Sequence, residues 1–457
     1  MYPHDDDRRR PVTAEGVAEW LLSVAADGVR RGPGAVAAAA RAVSAAAPGR
    51  LVDAAVVQLL RAQVDRLWTA GWLPVDLHEV TRRQASASAV LLVLDAMADA
   101  AAQYPAATTH PRWLAQLDEV GAERWWDPAG PYPSQWARQH GVERAALLEA
   151  ALELVGLALR LPALQLILPP PGQATAALHP DAAGSARGSR ASAGDDARGS
   201  AAAGSAAGDG RESAGGGGSG RPRPSPEKVL GRVRALLAKA ESTPYPEEAE
   251  ALSAKAQELM SRYSIEQALA DAVLPDRPVA VAAARRIWLD APYLGPKTLL
   301  VAEVGSANHC RTVSSEKLGF VTVLGTDLDL DVVEVLSTSL LVQAARAMLA
   351  SGSQYNRLGT SRTRSFRHSF LLSYATRIGE RLRDAAAQTA SAAGTDLVPV
   401  FADRVVAVDT LFDSLFATTA RRSFSAGNAA GWGAGRTAAD RAVLTTERRA
   451  VRHARRP

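Results

Sequence analysis

Apolar residues recur at helical spacing along most of this chain. Val52, Val56, Leu59, Leu60, Val64 and Leu67 fall on one face of a helix, and Val90, Leu91, Leu94 and Met97 on a face of another. Residues 12–168 therefore read as an all-helical domain. Gly71 is expected to end the first of these helices, and Pro74 opens the short segment PVDLHEVTRR. Arg82, Arg83 and the preceding turn admit a helix-turn-helix reading. A short helix joining two long ones needs only the apolar Val75, Leu77 and Val80 and is the commoner arrangement. RWWDPAGPYPSQW gathers Trp125, Trp126, Tyr132 and Trp136 among prolines. Without a flanking basic cluster to meet phosphates, these rings are expected to pack at the bundle's end rather than stack on bases.

The pattern then collapses. Residues 169–225 are mostly Gly, Ser, Ala and Pro, with GGGGSG near their end, and are expected to be a disordered linker. Helical periodicity returns at 226–268. Val229, Val233, Leu236, Leu237 and Ala240 line one stripe; Pro244 and Pro246 break it; Ala249, Leu252, Ala256, Leu259 and Met260 line a second. Glu247, Glu248 and Glu250 suit the second helix's first turn, where the dipole favours negative charge. The predicted unit is a helical hairpin. With Leu236, Leu237, Ala240, Glu241 and Ser242 closing its first helix and Lys255 to Met260 (Lys-Ala-Gln-Glu-Leu-Met) in its second, it resembles a bacterial and phage domain family of unknown function. That resemblance implies an uncharacterised α/β domain following the hairpin, and it brings no chemistry.

Residues 284–445 agree with this in element order. RRIWLD, HCRTV and FVTVLG are β-rich runs, with a helix near Lys297–Asn308 between the first two. A long helix from about 327 to 350 follows, then another whose stripe is Phe366, Phe370, Tyr374, Ile378 and Leu382. The order β-α-β-β-α-α predicts an α+β domain with its helices on one sheet face. The whole chain is thus expected to be mainly α: a helical bundle, a long linker, a hairpin joined to a small α+β domain, and a basic tail at 446–457.

At 47% hydrophobic and 22% charged residues, the folded parts have enough apolar side chains for real cores. The one cysteine, Cys310, excludes an intrachain disulfide, and MYPHDDDRRR lacks the apolar run of a signal peptide, so a cytoplasmic location is expected. No membrane span is expected, since Glu149, Glu153 and Arg160 interrupt the apolar run at 145–168 and Asp95 stops another. The net charge is +4, but from residue 436 onward seven arginines stand against Asp440 and Glu447. That net +5 leaves the remainder near −1. A broad nucleic-acid-binding face is therefore not expected, and any such contact is confined to the tail and to the arginines near 357–383.

Candidate chemistry is sparse. TDLDLD at 326–331 alternates three carboxylates, but Thr326 suits an N-cap, Asp327 and Asp329 the first turn, and the glycine and distal glutamate of a calcium loop are missing. His309 beside Cys310 lacks a legible orienting partner, and a lone cysteine in a strand is ordinarily a small buried hydrophobe. Gly427, Gly431, Gly435 and Ala439 fall every fourth residue without the strand or lysine of a phosphate loop. They suit a helix face that approaches another backbone. No metal site or cofactor is implied, and no catalytic residue is assigned.

The best lead is the run Arg357, Arg362, Arg364, Arg367, His368, Arg377, Arg381 and Arg383, set against Glu380 and Asp384. Arg362 and Arg364 precede a predicted helix start, where backbone N–H groups favour anions. Arg357, Arg362, Arg364 and Arg367, with Arg448, Arg449, Arg452, Arg455 and Arg456 of the tail, are the candidate anion or nucleic-acid contacts. The expected function is a multidomain binding or adaptor protein with nucleic acid as the favoured ligand and another protein as the other partner class. The alternative is a hydrolase of phosphorylated substrates in the α+β domain, using Asp or His residues around the same arginines, for which the informative observation is whether Glu303, His309, Asp327 and His368 converge.

Overall fold

The computed structural model describes residues 13–174, 281–355, 360–393, 398–420 and 423–442. It divides into two compact units, Met1–Gly194 and Asp195–Pro457. The hairpin, the linker from 175 onward and the tail lie outside the described residues, as does Arg357.

The first unit is helical: α1 (Ala14–Arg31), α2 (Pro33–Ala46), α3 (Gly49–Thr69), α4 (Pro74–Gln84), α5 (Ala87–Ala101), α6 (Pro111–Glu119), α7 (Tyr132–Gln139) and α8 (Arg144–Arg160). Helix α8 is its centre, packing on α1, α2, α3 and α5. Leu147, Leu148, Leu152, Val155 and Leu157 are buried there. Glu153, which interrupts the apolar run of α8, accepts hydrogen bonds from Ser86 N at 3.0 Å and Ser86 Oγ at 2.5 Å, while Ser86 itself caps α5. A charge that argues against a membrane span in the sequence thus satisfies a helix start in the fold. The expected face of α3 is buried throughout. Gly71, at φ +90°, turns the chain just after α3, where a β-carbon would also crowd Leu164 O at 2.6 Å.

Two expectations about this unit need correction. On α5 the core face is Ala89, Leu92, Val93, Ala96, Met97 and Ala100, with Leu91 exposed. In the run VLLVL every position is apolar, so spacing alone does not select the face. The linker's expected start also lies too early. Trp113 Nε1 donates to Pro169 O at 2.9 Å, and the N–H groups of Gly172 and Ala174 donate to Thr108 O at 2.9 and 3.2 Å. The bundle therefore holds the chain as far as Ala174. Trp126, Tyr132 and Trp136 are buried, and Trp125 donates to Asp95 Oδ1 at 2.9 Å, so the aromatic loop packs as expected. Helix α4 packs on α5 and α6 and buries Leu77 and Val80, and Glu79 pairs with both Arg82 and Arg83.

The second unit has a three-stranded antiparallel sheet, β1 (Ala283–Trp288), β2 (Arg311–Ser315) and β3 (Phe320–Gly325), in the order β1-β3-β2. Around it lie α9 (Leu294–Ala307), α10 (Asp327–Ala350), α11 (Thr363–Ala393), α12 (Val398–Leu415) and α13 (Ala429–Arg441). Ile287 pairs with Val321, and both join Val301, Val304, Val333, Leu336 and Leu340 in one core with the Phe366–Leu382 stripe of α11.

The helices do not keep to one sheet face. Helix α12 covers the other, where Phe412 lies under the Arg311 guanidinium at 3.4 Å and Arg311 pairs with Asp409 at 2.9 Å. The reason is visible in β3, FVTVLG, which is buried at all six positions and so needs cover on both sides. Among the described residues one helix, α10, is long and apolar enough by composition to cross a membrane. Here Leu330, Val333, Leu336, Leu340 and Met348 of α10 are buried in the protein core.

Candidate functional site

Helices α9, α11 and α13 begin at one end of the second unit, around an open groove of about 950 Å³. Each start is placed by local chemistry. The turn Ala291–Pro292, a cis peptide, leads into Tyr293 at φ +69° and then α9. The loop before α11 is pinned by Arg362 N donating to Gln354 O at 2.8 Å and Gln354 N donating to Thr363 Oγ1 at 2.9 Å. Asn428 caps α13 by accepting from Gly431 N at 2.9 Å, and its own N–H donates to Ser369 Oγ of α11 at 3.1 Å.

The last contact is possible because α11 and α13 are almost in backbone contact. A β-carbon on Gly431 would overlap Phe366 O, and one on Gly435 would overlap Phe370 O. Ala439 continues this buried edge. The four-residue glycine spacing is thus a helix-packing face over Gly431, Gly435 and Ala439, while Gly427 precedes the helix and lines the groove.

The arginine-rich run divides in two. Its C-terminal half is paired: Arg377 with Glu380 at 2.8 Å and Asp440 at 2.6 Å, Arg383 with Glu303, and Arg436 from α13 with Glu380 at 2.9 Å. Arg381 donates to Ala439 O and, at 2.7 Å, to Ala442 O. The hydrogen bonds from Arg377 and Arg436 hold the Glu380 carboxyl below its ordinary value. These groups clamp α11 to α9 and α13. The N-terminal half is different. Exposed Arg362 and Arg364 line the groove with His368, and none of the three side chains has a protein partner among the described residues. Arg367 is half-buried, its Nε without a hydrogen-bond partner there.

The first turns of α9, α11 and α13 contain no acidic residue, so their positive dipole ends are not offset from within. Glu316 is the carboxylate on the groove's lining. Tyr293 and Phe424, which spacing along the sequence did not single out, add two half-buried rings. Their only sequence signal is the turn-forming APYLGP around Tyr293.

The other candidates have structural roles. Thr326 caps α10, its Oγ1 accepting from Asp329 N at 3.4 Å and donating to Asp329 Oδ2 at 2.6 Å. Burial pushes the Asp329 carboxyl up. Asp331 faces away to Arg285, 2.7 Å distant. Cys310 is buried, which pushes its thiol far up and leaves it a poor nucleophile. Glu303, His309, Asp327 and His368 do not form one site. Glu303 pairs with Arg383, which stands 15 residues beyond His368 on α11, about 22 Å at 1.5 Å per residue.

Fold and groove together define a mainly α-helical protein of two units whose second unit carries an open, cation-lined groove. Residues 228–267 match a family described as a protein of unknown function (DUF2786), over the stretch where the hairpin motif lies. Neither a curated protein nor a solved structure matches the chain.

Proposed function

We propose that this is a cytoplasmic, multidomain binding protein whose second unit holds the phosphates of a nucleic acid. The observation that carries the reading is the unpaired state, among the described residues, of Arg362 just before α11 and Arg364 in its first turn at the groove, while Arg377 and Arg383 further along α11 are paired. A guanidinium left without a carboxylate beside helix N-termini suits a phosphate, which it can meet with two parallel hydrogen bonds. The tail arginines Arg448, Arg449, Arg452, Arg455 and Arg456 add sequence-independent attraction. The hairpin's resemblance to bacterial and phage domains that precede an α/β unit supports treating hairpin and second unit as one module.

The test is direct titration of the full chain with labelled single-stranded DNA, RNA and duplex DNA at low salt. Binding of at least one, weakened about tenfold or more by Arg362→Ala with Arg364→Ala, is expected, since two charge-assisted contacts are lost. Failure of the unaltered protein to bind any of them would sink the reading.

A further inference from the structure

We infer that the groove takes a strand with unpaired bases, its phosphates against Arg362 and Arg364 and a base against the ring of Phe424. This rests on the phosphate reading above and adds its selectivity. The groove presents two kinds of surface side by side. Arg362, Arg364 and His368 come from the start of α11, whereas Pro292, Tyr293, Pro296 and Phe424 supply an apolar, aromatic wall.

That wall is built rather than incidental. Phe424 sits across Gly295 in the first turn of α9, where a β-carbon would stand 2.9 Å from its Cε1. Glycine is what lets the ring seat against the helix backbone. Tyr293 is set at the same mouth by its left-handed backbone. A phosphate gains nothing from half-buried rings, and the Glu316 carboxylate disfavours filling the groove with anions alone. A nucleobase has a flat face that stacks on an aromatic ring whatever its identity, and in a duplex those faces are hidden in the base stack. Only an unpaired strand uses both surfaces.

The full-length protein is titrated with oligothymidylate, with an abasic strand of the same backbone length, and with duplex, before and after Phe424→Leu. The unaltered protein is expected to bind oligothymidylate about tenfold more tightly than the abasic strand, the scale of one stacked base. Phe424→Leu should erase most of that ratio while leaving abasic binding and thermal unfolding unchanged. Equal affinity for both strands overturns this inference, and so does a ratio that survives Phe424→Leu. In either case, loss of binding to both strands on Arg362→Ala with Arg364→Ala would still uphold the phosphate reading. No binding of any strand overturns both.

Discussion

Asp95 shows what single residues hide. In the sequence it ends an apolar run; in the fold it is buried, one oxygen accepting from Trp125 Nε1 and the other, Oδ2, without a hydrogen-bond partner among the described residues. Burial pushes its carboxyl up to about 6 from the ordinary 3.8. Between those values the folded protein keeps a proton that the unfolded chain has released, so this group's contribution to stability falls as pH rises from about 4 to about 6. Asp95→Asn retains an acceptor for Trp125 and cannot ionise. It should stabilise the first unit at pH 7 by about 1–3 kcal/mol and remove that part of the pH dependence, as read by thermal unfolding across pH 4–8. An unchanged pH profile would contradict the assignment. Neither Asp95 nor Asp99, which pairs with Arg61 at 2.7 Å, reads as buried from its neighbours in sequence. Their partners lie 30 and 38 residues away, and local spacing carries no signal for them.

At the scale of elements, periodicity carried most of the information. The Phe366–Leu382 stripe, the cap at Thr326 and the small-residue face of α13 were all legible because each depends on residues one helical turn apart. The α13 face makes a paired prediction. Gly435→Ala places a β-carbon onto Phe370 O and should destabilise the second unit by about 2 kcal/mol or more, whereas Gly433→Ala meets open space and should stabilise it by about 0.5–1 kcal/mol. Denaturant unfolding of the two variants reads this directly, and similar midpoints would show the α11–α13 approach to be looser than described. The role of α12 was not legible in its own residues. Six consecutive buried positions in β3 were the available sign that the sheet is covered twice. The groove was half legible. Arg362, Arg364 and His368 stood out as charges, but Tyr293 and Phe424 reach it from two other loops that only the tertiary fold brings together.

Across the whole molecule, each unit has its own core. A fragment ending at Ala174 should therefore remain helical and melt cooperatively, because α8 supplies its centre and residues 169–174 close its surface. Cutting at 168 instead removes the contacts of Trp113 and Thr108 and should lower its midpoint, which circular dichroism can measure. For function, the division of α11 into paired and unpaired arginines matters most. It makes one end of the helix a clamp and leaves the other available to a ligand. The most direct test is the slope of log affinity for single-stranded nucleic acid against log salt, measured on the full chain and on two double variants. Arg362→Ala with Arg364→Ala should flatten the slope by about 1.4 units, at about 0.7 per phosphate contact, while Arg377→Ala with Arg383→Ala should lower thermal stability and leave the slope unchanged. Equal slopes for the full chain and the Arg362/Arg364 variant would contradict the account.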